Sequence, residues 1–281
     1  MGSSLADQFR RSGFVVVRGL LDHARAADYA DRLIALAAGK ERWTQPNGIN
    51  ANPDFWPVIF DTGLRAVMTE ILGPRVRYLP HNDLHLGFSS FSWHRDNVNR
   101  DAGVGPDWDE TTEPYRLARV GIYLQRFEDS QFKLGLIPGS HRPSIGEAEN
   151  DGRVQRRTSA LANVLSGLTG VDLVGEAAEW IATDPGDAVI FDPRILHTGS
   201  KFHGVKYSMF LAYGLENVHF RNHWHYYLTM RKDLGYAGID AQLAEQLRAA
   251  DLLAEAPPAD TQVASAWMPS PTYTYVARHF K

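Results

Sequence analysis

The sequence predicts a mainly β fold with flanking α-helices, of the antiparallel sandwich or jelly-roll type. Short β-like runs separated by turn signals are typical of such folds, and the segments on either side have helical composition. With 281 residues, of which 44% are apolar, the chain can bury a sizeable core as one unit. We expect a single domain over residues 1–281, with a core at roughly 75–215 and helical flanks at 1–74 and 216–281.

The first flank is predicted to contain three helices and one strand. A short helix at 4–11 precedes the β-branched run 14–17, which favours a strand. Residues 24–38 are rich in Ala and Leu at helical spacing and predict an amphipathic helix. Another helix is predicted at 63–71, because the Gly-Pro pair at 73–74 is a stop signal.

The β core is predicted to begin at about residue 75, where the β-like runs begin, and to contain turns at 138–140 and 184–187. The polar, acidic stretch 98–116 is predicted to be a long loop, and 141–176 a second insertion with some helix. A last helix is predicted at 240–255. The predicted core strands are 75–79, 84–93, 117–125, 134–137, 177–182, 187–192 and 206–213.

Composition excludes several functional classes. The absence of cysteine excludes disulfides, thiolate metal sites and cysteine nucleophiles. The net charge of −4, without a block of Lys and Arg, gives no sign of nucleic-acid binding or of a polybasic membrane anchor. The first residues lack the pattern of a secretory signal, and no run approaches the roughly 18 apolar residues of a membrane span. We expect a cytoplasmic protein without a membrane or nucleic-acid partner; its oligomeric state stays open.

The main chemical signal is the segment His94-Arg95-Asp96, with His197 far downstream. Residues i and i+2 of a strand point to the same face, so His94 and Asp96 would present an imidazole and a carboxylate side by side. His197, on a distant strand of a jelly roll, would complete a set of two histidines and one carboxylate. Such a set holds Fe(II) and leaves positions open for a co-substrate and oxygen. On the residues alone, a surface histidine and a solvated aspartate are an equal alternative.

Three segments around this triad resemble the motifs of one family. The matching segments are WHRDN at 93–97 for the proximal ligands, LQ at 124–125 with LGLIPGSHR at 134–142 for the signature strand and turn, and DPGDAVIFD at 184–192 leading into HTG at 197–199 for the distal ligand. The opening segment 14–19, followed by a helix, is similar as well, and the resemblance covers roughly residues 8–215. The family that these segments resemble is the phytanoyl-CoA dioxygenase-like group of Fe(II)/2-oxoglutarate oxygenases, which includes ectoine hydroxylase.

The resemblance implies a fold and a chemistry. The fold is a double-stranded β-helix, which is a jelly roll with flanking helices. Fe(II) would be bound by His94, Asp96 and His197, and 2-oxoglutarate and O2 would become succinate and CO2 while a small molecule is oxidised. Related halogenases replace the carboxylate ligand by a small residue, so Asp96 favours hydroxylation over halogenation. Desaturation or ring formation would use the same ligands.

The family also implies an anchor for the far carboxylate of 2-oxoglutarate. It usually places an Arg on the strand after the distal histidine, with a Ser two residues later. Here Lys206 takes the place of the Arg, and Ser208 follows it on the same face of a strand. A Lys is a point charge, whereas an Arg offers a planar fork. We expect Lys206 and Ser208 to bind 2-oxoglutarate; Arg194 as the anchor, or Lys206 as a solvated edge-strand residue, are the alternatives.

The remaining histidines are expected to be structural or to line a pocket. His223 and His225 would form a metal pair only on a strand, and His81 and His85 are expected in an extended segment near the pocket. His141, in a turn, is expected to bond to backbone. Further pocket residues are expected to be Trp93, Asn97, Tyr123 and Gln125.

Two alternative functions stay open. One is a jelly-roll metalloenzyme that does not use 2-oxoglutarate, such as a cupin-type oxygenase or isomerase, which the departure at Lys206 favours. The other is a noncatalytic binding module of the same fold, against which the intact triad argues. The substrate classes that the resemblance implies are natural-product intermediates, amino-acid derivatives and acyl-CoA thioesters. The loop 98–116 and the aromatic-rich stretch 219–236 are candidates for shaping the substrate pocket.

Overall fold

The computed structural model describes residues 4–100, 102–142, 178–229, 231 and 234–256, and it confirms the mainly β prediction. Most of the predicted insertion 141–176 lies outside the described residues. The described strands are β1 Phe14–Val17, β2 Trp43–Pro46, β3 Val76–Leu86, β4 Leu117–Tyr123, β5 Lys133–Leu136, β6 Glu179–Ala182, β7 Ala188–Phe191, β8 His197–Gly199 and β9 Tyr207–Leu215. They pair antiparallel in a six-stranded sheet of order β1-β7-β4-β9-β3-β2 and a three-stranded sheet of order β6-β5-β8.

Helices precede and follow this pair of sheets. Four of them begin at a side-chain cap, supplied by Ser4, Asp22, Asp61 or Asp240, which accepts a hydrogen bond from a backbone N–H of the first turn. The described helices are α1 Leu5–Ser12, α2 His23–Ala37, α3 Gly48–Ala51, α4 Thr62–Leu72, α5 Phe127–Ser130, α6 Val218–Thr229 and α7 Ala241–Ala249, with 3-10 turns at Pro53–Val58 and Pro106–Trp108.

Several sequence-based expectations differ from the structure. Besides the predicted strand β1, the flank 1–74 contains the unpredicted strand β2, and these two strands form the edges of the six-stranded sheet. The predicted strands 75–79 and 84–93 are a single strand, β3, which ends at Leu86. Gly87 follows with φ +61°, in the left-handed region, and a Cβ there would lie 2.1 Å from the Glu41 carbonyl oxygen. The aromatic stretch after β9 forms the helix α6, and α7 ends at Ala249 rather than at residue 255.

Side-chain alternation gives the six-stranded sheet two different faces. On β4, Ala118, Val120 and Ile122 pack into the large apolar core with residues of α2 and α4. The intervening residues Arg119 and Tyr123 point to the opposite face. A second apolar cluster joins that inner face to the three-stranded sheet, and its members are Phe14, Tyr123, Phe132, Leu134, Leu136, Val189, Phe191 and Ile195. The helices therefore cover one face, while the other encloses a cavity between the sheets.

Strand β3 contains an irregularity beside this cavity. Its pairing with β9 shifts register between Leu79 and Asp83. Asn82, inside the irregular step, accepts hydrogen bonds at Oδ1 from the backbone N–H groups of Ile49 (2.8 Å) and Asn50 (3.3 Å). His81 and Asp83 flank Asn82 and both line the cavity, on the face that strand alternation gives to every second residue.

Candidate metal centre

The two halves of the predicted triad meet through their backbones. The His94 N–H donates to the His197 carbonyl at 2.9 Å, and the His197 N–H donates to the His94 carbonyl at 3.0 Å, which forms an antiparallel bridge. The Asp96 N–H donates to the Pro193 carbonyl at 2.8 Å. His94 is therefore not in a regular strand, contrary to the sequence-based expectation, but one bridge and one further bond keep this segment extended.

The three side chains offer ligand atoms that all lie within 4.8 Å of one another. His94 Nδ1 donates to the Ser92 carbonyl at 2.8 Å, and His197 Nδ1 donates to the Ile195 carbonyl at 3.0 Å, when each ring carries its proton on Nδ1. That tautomer leaves both Nε2 lone pairs facing Asp96, at 3.7 Å from Oδ1 and 3.8 Å from Oδ2 respectively. Histidine ligands are commonly oriented by such a bond from the second ring nitrogen. The donor set and its orientation fit a divalent transition metal.

The protonation states also suit a metal. Burial and then the neighbouring His197 lower the pKa of His94 to about 3, and burial lowers the pKa of His197 against the pull of Asp96. Burial opposes ionisation of Asp96, but its interactions with His197 and then with the Arg119 guanidinium outweigh burial and hold the pKa of Asp96 below its usual range. Neutral imidazoles beside an ionised carboxylate are the forms that ligate metals.

The triad opens into a cavity of about 870 Å³, a volume that includes its mouth. The intervening Arg95 points away from this cavity, and its Nε donates to the Arg194 carbonyl at 2.8 Å. The cavity walls combine rings, apolar side chains and a few polar groups. They include Pro46, His81, Asp83, His85, Phe88, Arg119, Tyr123, Phe132, Leu134, Lys206, Phe210, Leu234 and Tyr236.

Lys206 lines the cavity and is 2% exposed, so the solvated edge-strand alternative is wrong. Its Nζ donates to Ser208 Oγ at 3.0 Å and lies 4.6 Å from the centre of the Phe132 ring. Burial lowers the pKa of Lys206 to about 7. Tyr123 lines the same wall, and its buried hydroxyl makes no hydrogen bond. Ser208 is fully buried behind Lys206 and is not among the lining residues.

Arg194 is engaged elsewhere. Its Nη2 donates to Asp192 Oδ2 at 2.9 Å, its Nη1 donates to Glu110 Oε1 at 2.6 Å, and its guanidinium stacks 4.0 Å from the centre of the Tyr115 ring. It does not line the cavity. These contacts tie the predicted loop 98–116 to the strand that precedes His197, which makes Arg194 a structural residue.

Among the other expected pocket residues, only Tyr123 lines the cavity. The Asn97 amide donates to Asp107 Oδ2 at 3.0 Å and so organises the loop. Gln125 Oε1 accepts from the Tyr207 N–H at 2.8 Å, and Trp93 packs edge-on against Trp180. These three residues therefore support the site from outside.

The other histidines behave as structural or lining residues. His81 and His85 both lie on β3 and line the cavity, as expected. His223 lies on the helix α6, so it does not share a face with His225; instead its Nε2 is 2.8 Å from His81 Nδ1. His141 Nε2 bonds to the Arg10 carbonyl at 3.2 Å, as expected for a turn histidine. In the described ranges, the triad is the one group of three His, Asp or Glu side chains arranged to hold a metal.

A charged cluster beside the triad, formed by Asp83, Arg119 and Tyr236, was not predicted from the sequence. Arg119 Nη2 donates to Asp83 Oδ2 at 2.8 Å, and the Tyr236 hydroxyl donates to Asp83 Oδ1 at 2.5 Å. One signal was present in the sequence, because Arg119 is the single charged residue in the otherwise apolar run LARVGIY. A charged residue in a buried strand needs a partner, and it marks a place where one must be found.

The described part of the chain has no helix with the length and apolar character that a membrane span requires. No curated protein matches this chain in sequence. Three of the solved structures that are similar to this chain have low sequence identity to it, and these likenesses show a shared fold. They are the non-heme alpha ketoglutarate dependent epimerase SnoN from nogalamycin biosynthesis (17% identity, TM-score 0.51, 74% of this chain and 80% of that chain), HygX from Streptomyces hygroscopicus with nickel and 2-oxoglutarate bound (18%, 0.51, 74% and 84%) and EctD from S. alaskensis with 2-oxoglutarate and 5-hydroxyectoine (19%, 0.50, 74% and 74%).

The family model of phytanoyl-CoA dioxygenase (PhyH) matches residues 9–206, which is well over half of the chain. The match begins just before β1 and extends through His94, Asp96 and His197 to Lys206, immediately before β9. The jelly-roll fold and the triad geometry agree with this match. This chain therefore belongs to the phytanoyl-CoA dioxygenase family.

Proposed function

We propose that this protein is an Fe(II)- and 2-oxoglutarate-dependent oxygenase that hydroxylates a small-molecule substrate, with residues 1–281 acting as one domain. The observation that carries the proposal is the oriented triad of His94, Asp96 and His197 at the cavity. Family membership supports the reaction class. The structures of HygX with nickel and 2-oxoglutarate and of EctD with 2-oxoglutarate support the cofactor set by similarity of fold.

His94, Asp96 and His197 would hold the metal, which when bound activates O2 for oxidation of the substrate while 2-oxoglutarate is converted to succinate and CO2. The chain itself keeps the ligands in their binding form. Each imidazole is locked through Nδ1 to a backbone carbonyl two residues away, so Nε2 stays free. The two imidazoles would therefore need little reorientation when a metal binds.

Lys206 would bind the far carboxylate of 2-oxoglutarate. Its Nζ has one hydrogen bond among the described residues, to Ser208 Oγ, and two donors are left in a wall of rings. The unpartnered Tyr123 hydroxyl faces the same region as a second donor. Ser208, behind Lys206, would orient the ammonium rather than touch the carboxylate. These contacts supply charge and direction without the planar fork of an arginine.

The substrate would occupy the part of the cavity that is lined by Phe88, Leu234 and Tyr236. These apolar and aromatic side chains exclude water from the reacting carbon, and polar groups beside them give orientation. The structure of SnoN is that of an epimerase, so the test must identify the product as well as turnover.

The first experiment is anaerobic titration of the Fe(II)-loaded protein with 2-oxoglutarate, followed by the visible charge-transfer band of a metal-bound keto acid. We expect a band in the wild type and its loss in His94→Ala, with circular dichroism as the control for folding. Iron binding without a band would overturn the use of 2-oxoglutarate and favour a cupin-type enzyme. A folded protein that binds no iron would favour the noncatalytic module. Succinate release with an oxygenated product would support hydroxylation.

A further inference from the structure

Arg119 occupies the centre of the six-stranded sheet and points into the cavity. Its strand, β4, lies between β7 and β9, and the side chain is 3% exposed. A buried guanidinium must donate its N–H groups to hydrogen-bond acceptors, because an unpaired buried charge is destabilising. The acceptors of these N–H groups therefore indicate the role of Arg119.

Two of its three nitrogens are held by β3. Nη1 donates to the His81 carbonyl at 2.6 Å, within the irregular step of β3, and Nη2 donates to Asp83 Oδ2 at 2.8 Å. The Tyr236 hydroxyl fixes the other oxygen of Asp83 at 2.5 Å. Because the guanidinium is planar, these two bonds set the direction of the third nitrogen.

The third nitrogen, Nε, is buried and has no hydrogen-bond partner. It lies 3.5 Å from Asp96 Oδ2, just beyond bonding distance. An unsatisfied buried donor is destabilising, so an acceptor is expected at this point. Among the contacts of Arg119, Asp96 is the group that could supply one.

We propose that Arg119 is the positioning residue for Asp96, an inference that rests on the proposed metal site. Its Nε–H binds Oδ2 when a metal is held, so the carboxylate presents Oδ1 as the ligand oxygen. Asp83 and Tyr236 hold Arg119 in place for this task. Asp83 also offsets the positive charge that Arg119 would otherwise place beside the metal. The cavity wall and the metal carboxylate are thus joined through one side chain.

The test is the affinity for Ni(II), measured by calorimetry on the full chain, which needs no substrate or turnover. The variants are Arg119→Gln, which removes the charge, and Arg119→Lys, which keeps the charge but loses the fork. Asp83→Asn probes the support of Arg119. The matched control is Arg194→Lys, because Arg194 is as buried as Arg119 and is paired to a carboxylate away from the triad. Urea unfolding reports the stability of each variant.

We expect Arg119→Gln to weaken Ni(II) binding by about 10- to 100-fold, in line with other outer-shell substitutions. Arg119→Lys should recover part of this loss, Asp83→Asn should lose less than Arg119→Gln, and Arg194→Lys should bind as the wild type does. If Arg119 acted only as a repelling charge, Arg119→Gln would bind Ni(II) more tightly and Arg119→Lys would match the wild type, which would overturn the proposal. Unchanged affinity in folded Arg119→Lys and Asp83→Asn would overturn it too.

The failure of the underlying site would look different. If wild type bound no Ni(II), or bound it equally in His94→Ala, the metal site itself would be wrong. If the wild type bound Ni(II), His94→Ala did not, and the Arg119 variants bound it as the wild type does, only the proposed role of Arg119 would be overturned.

Discussion

Replacing Lys206 by Met should weaken the binding of 2-oxoglutarate and, at the same time, increase the free energy of unfolding. Lys206 is 2% exposed, and the aromatic rings around its ammonium carry no counter-charge. A bound ligand carboxylate would supply that counter-charge. Met has a similar length and no charge. The variant should therefore lose 2-oxoglutarate affinity and gain stability, a combination that misfolding does not produce.

The magnitudes follow from the burial of the ammonium. Burial lowers the pKa of Lys206 from 10.5 to about 7, which corresponds to roughly 5 kcal/mol between the charged and neutral forms. Because the folded-state pKa is the lower one, this cost is fully present below pH 7 and fades as the pH rises towards 10.5. Replacing buried charges by apolar groups commonly gains about 1–4 kcal/mol, so we expect a gain of that size at pH 6.5. Loss of the cation should weaken 2-oxoglutarate binding by about 2–4 kcal/mol, roughly 30- to 900-fold in Kd.

The assay is calorimetric titration of 2-oxoglutarate into the Ni(II)-loaded protein between pH 6.5 and 9.5. In the wild type, binding of the dianion requires a charged lysine, so above pH 7 binding should take up a proton and the Kd should rise about tenfold per pH unit. Lys206→Arg should show no such dependence, because arginine stays charged. Lys201→Met, at an exposed lysine, is the control for charge removal.

Two results would refute this reasoning. One is wild-type affinity in Lys206→Met, which would place the 2-oxoglutarate carboxylate elsewhere. The other is a wild-type Kd that stays constant from pH 7 to 9.5, which would show that the buried ammonium keeps its charge in the absence of ligand.

Three further predictions concern single residues. Asp192→Asn should lower the free energy of unfolding in urea by about 3 kcal/mol, because it leaves the buried Arg194 with only the half-exposed Glu110; a loss under 1 kcal/mol would contradict this. Gly87→Ala should cost at least about 2 kcal/mol, since its Cβ would meet the Glu41 carbonyl, whereas Gly235→Ala, also at positive φ but in open space, should cost about 1 kcal/mol; equal losses would argue against the steric explanation. Tyr123→Phe should weaken 2-oxoglutarate binding in the same calorimetric assay by about 1 kcal/mol, roughly fivefold, and no change would remove its hydroxyl from the proposed site.

Much of the fold could be predicted because it depends on local patterns. β-like runs and turn residues predicted β1, β4, β5, β7 and β9 to within a few residues. Helical composition and the Gly-Pro stop signal at 73–74 predicted α1, α2 and α4. Strand β2 was missed because the run WTQP is short and partly polar. Helix α6 lies in the flank that was predicted to be helical, but its bounds were not predicted. It is buried on nearly every side, and polar residues such as Asn222, His223 and His225 interrupt the apolar pattern.

The sequence by itself determined which residues form the candidate triad, because residue type and i, i+2 spacing are local properties that motif similarity can reveal. It also determined that Lys206 and Ser208 share a face, which their hydrogen bond confirms. The backbone bridge of His94 to His197 joins residues about a hundred positions apart, and only the strand topology decides it.

The competition between Lys206 and Arg194 was decided by tertiary structure, because burial and partner choice depend on what packs nearby. Arg194 forms ion pairs with two carboxylates, whereas Lys206 contacts aromatic rings and lines the open cavity. The link from Asp83 through Arg119 towards Asp96 likewise draws on three segments with no common motif. Local sequence thus specifies which groups can bind a metal, while the fold specifies which charges surround them, because electrostatic partners are set by distance in space and not along the chain.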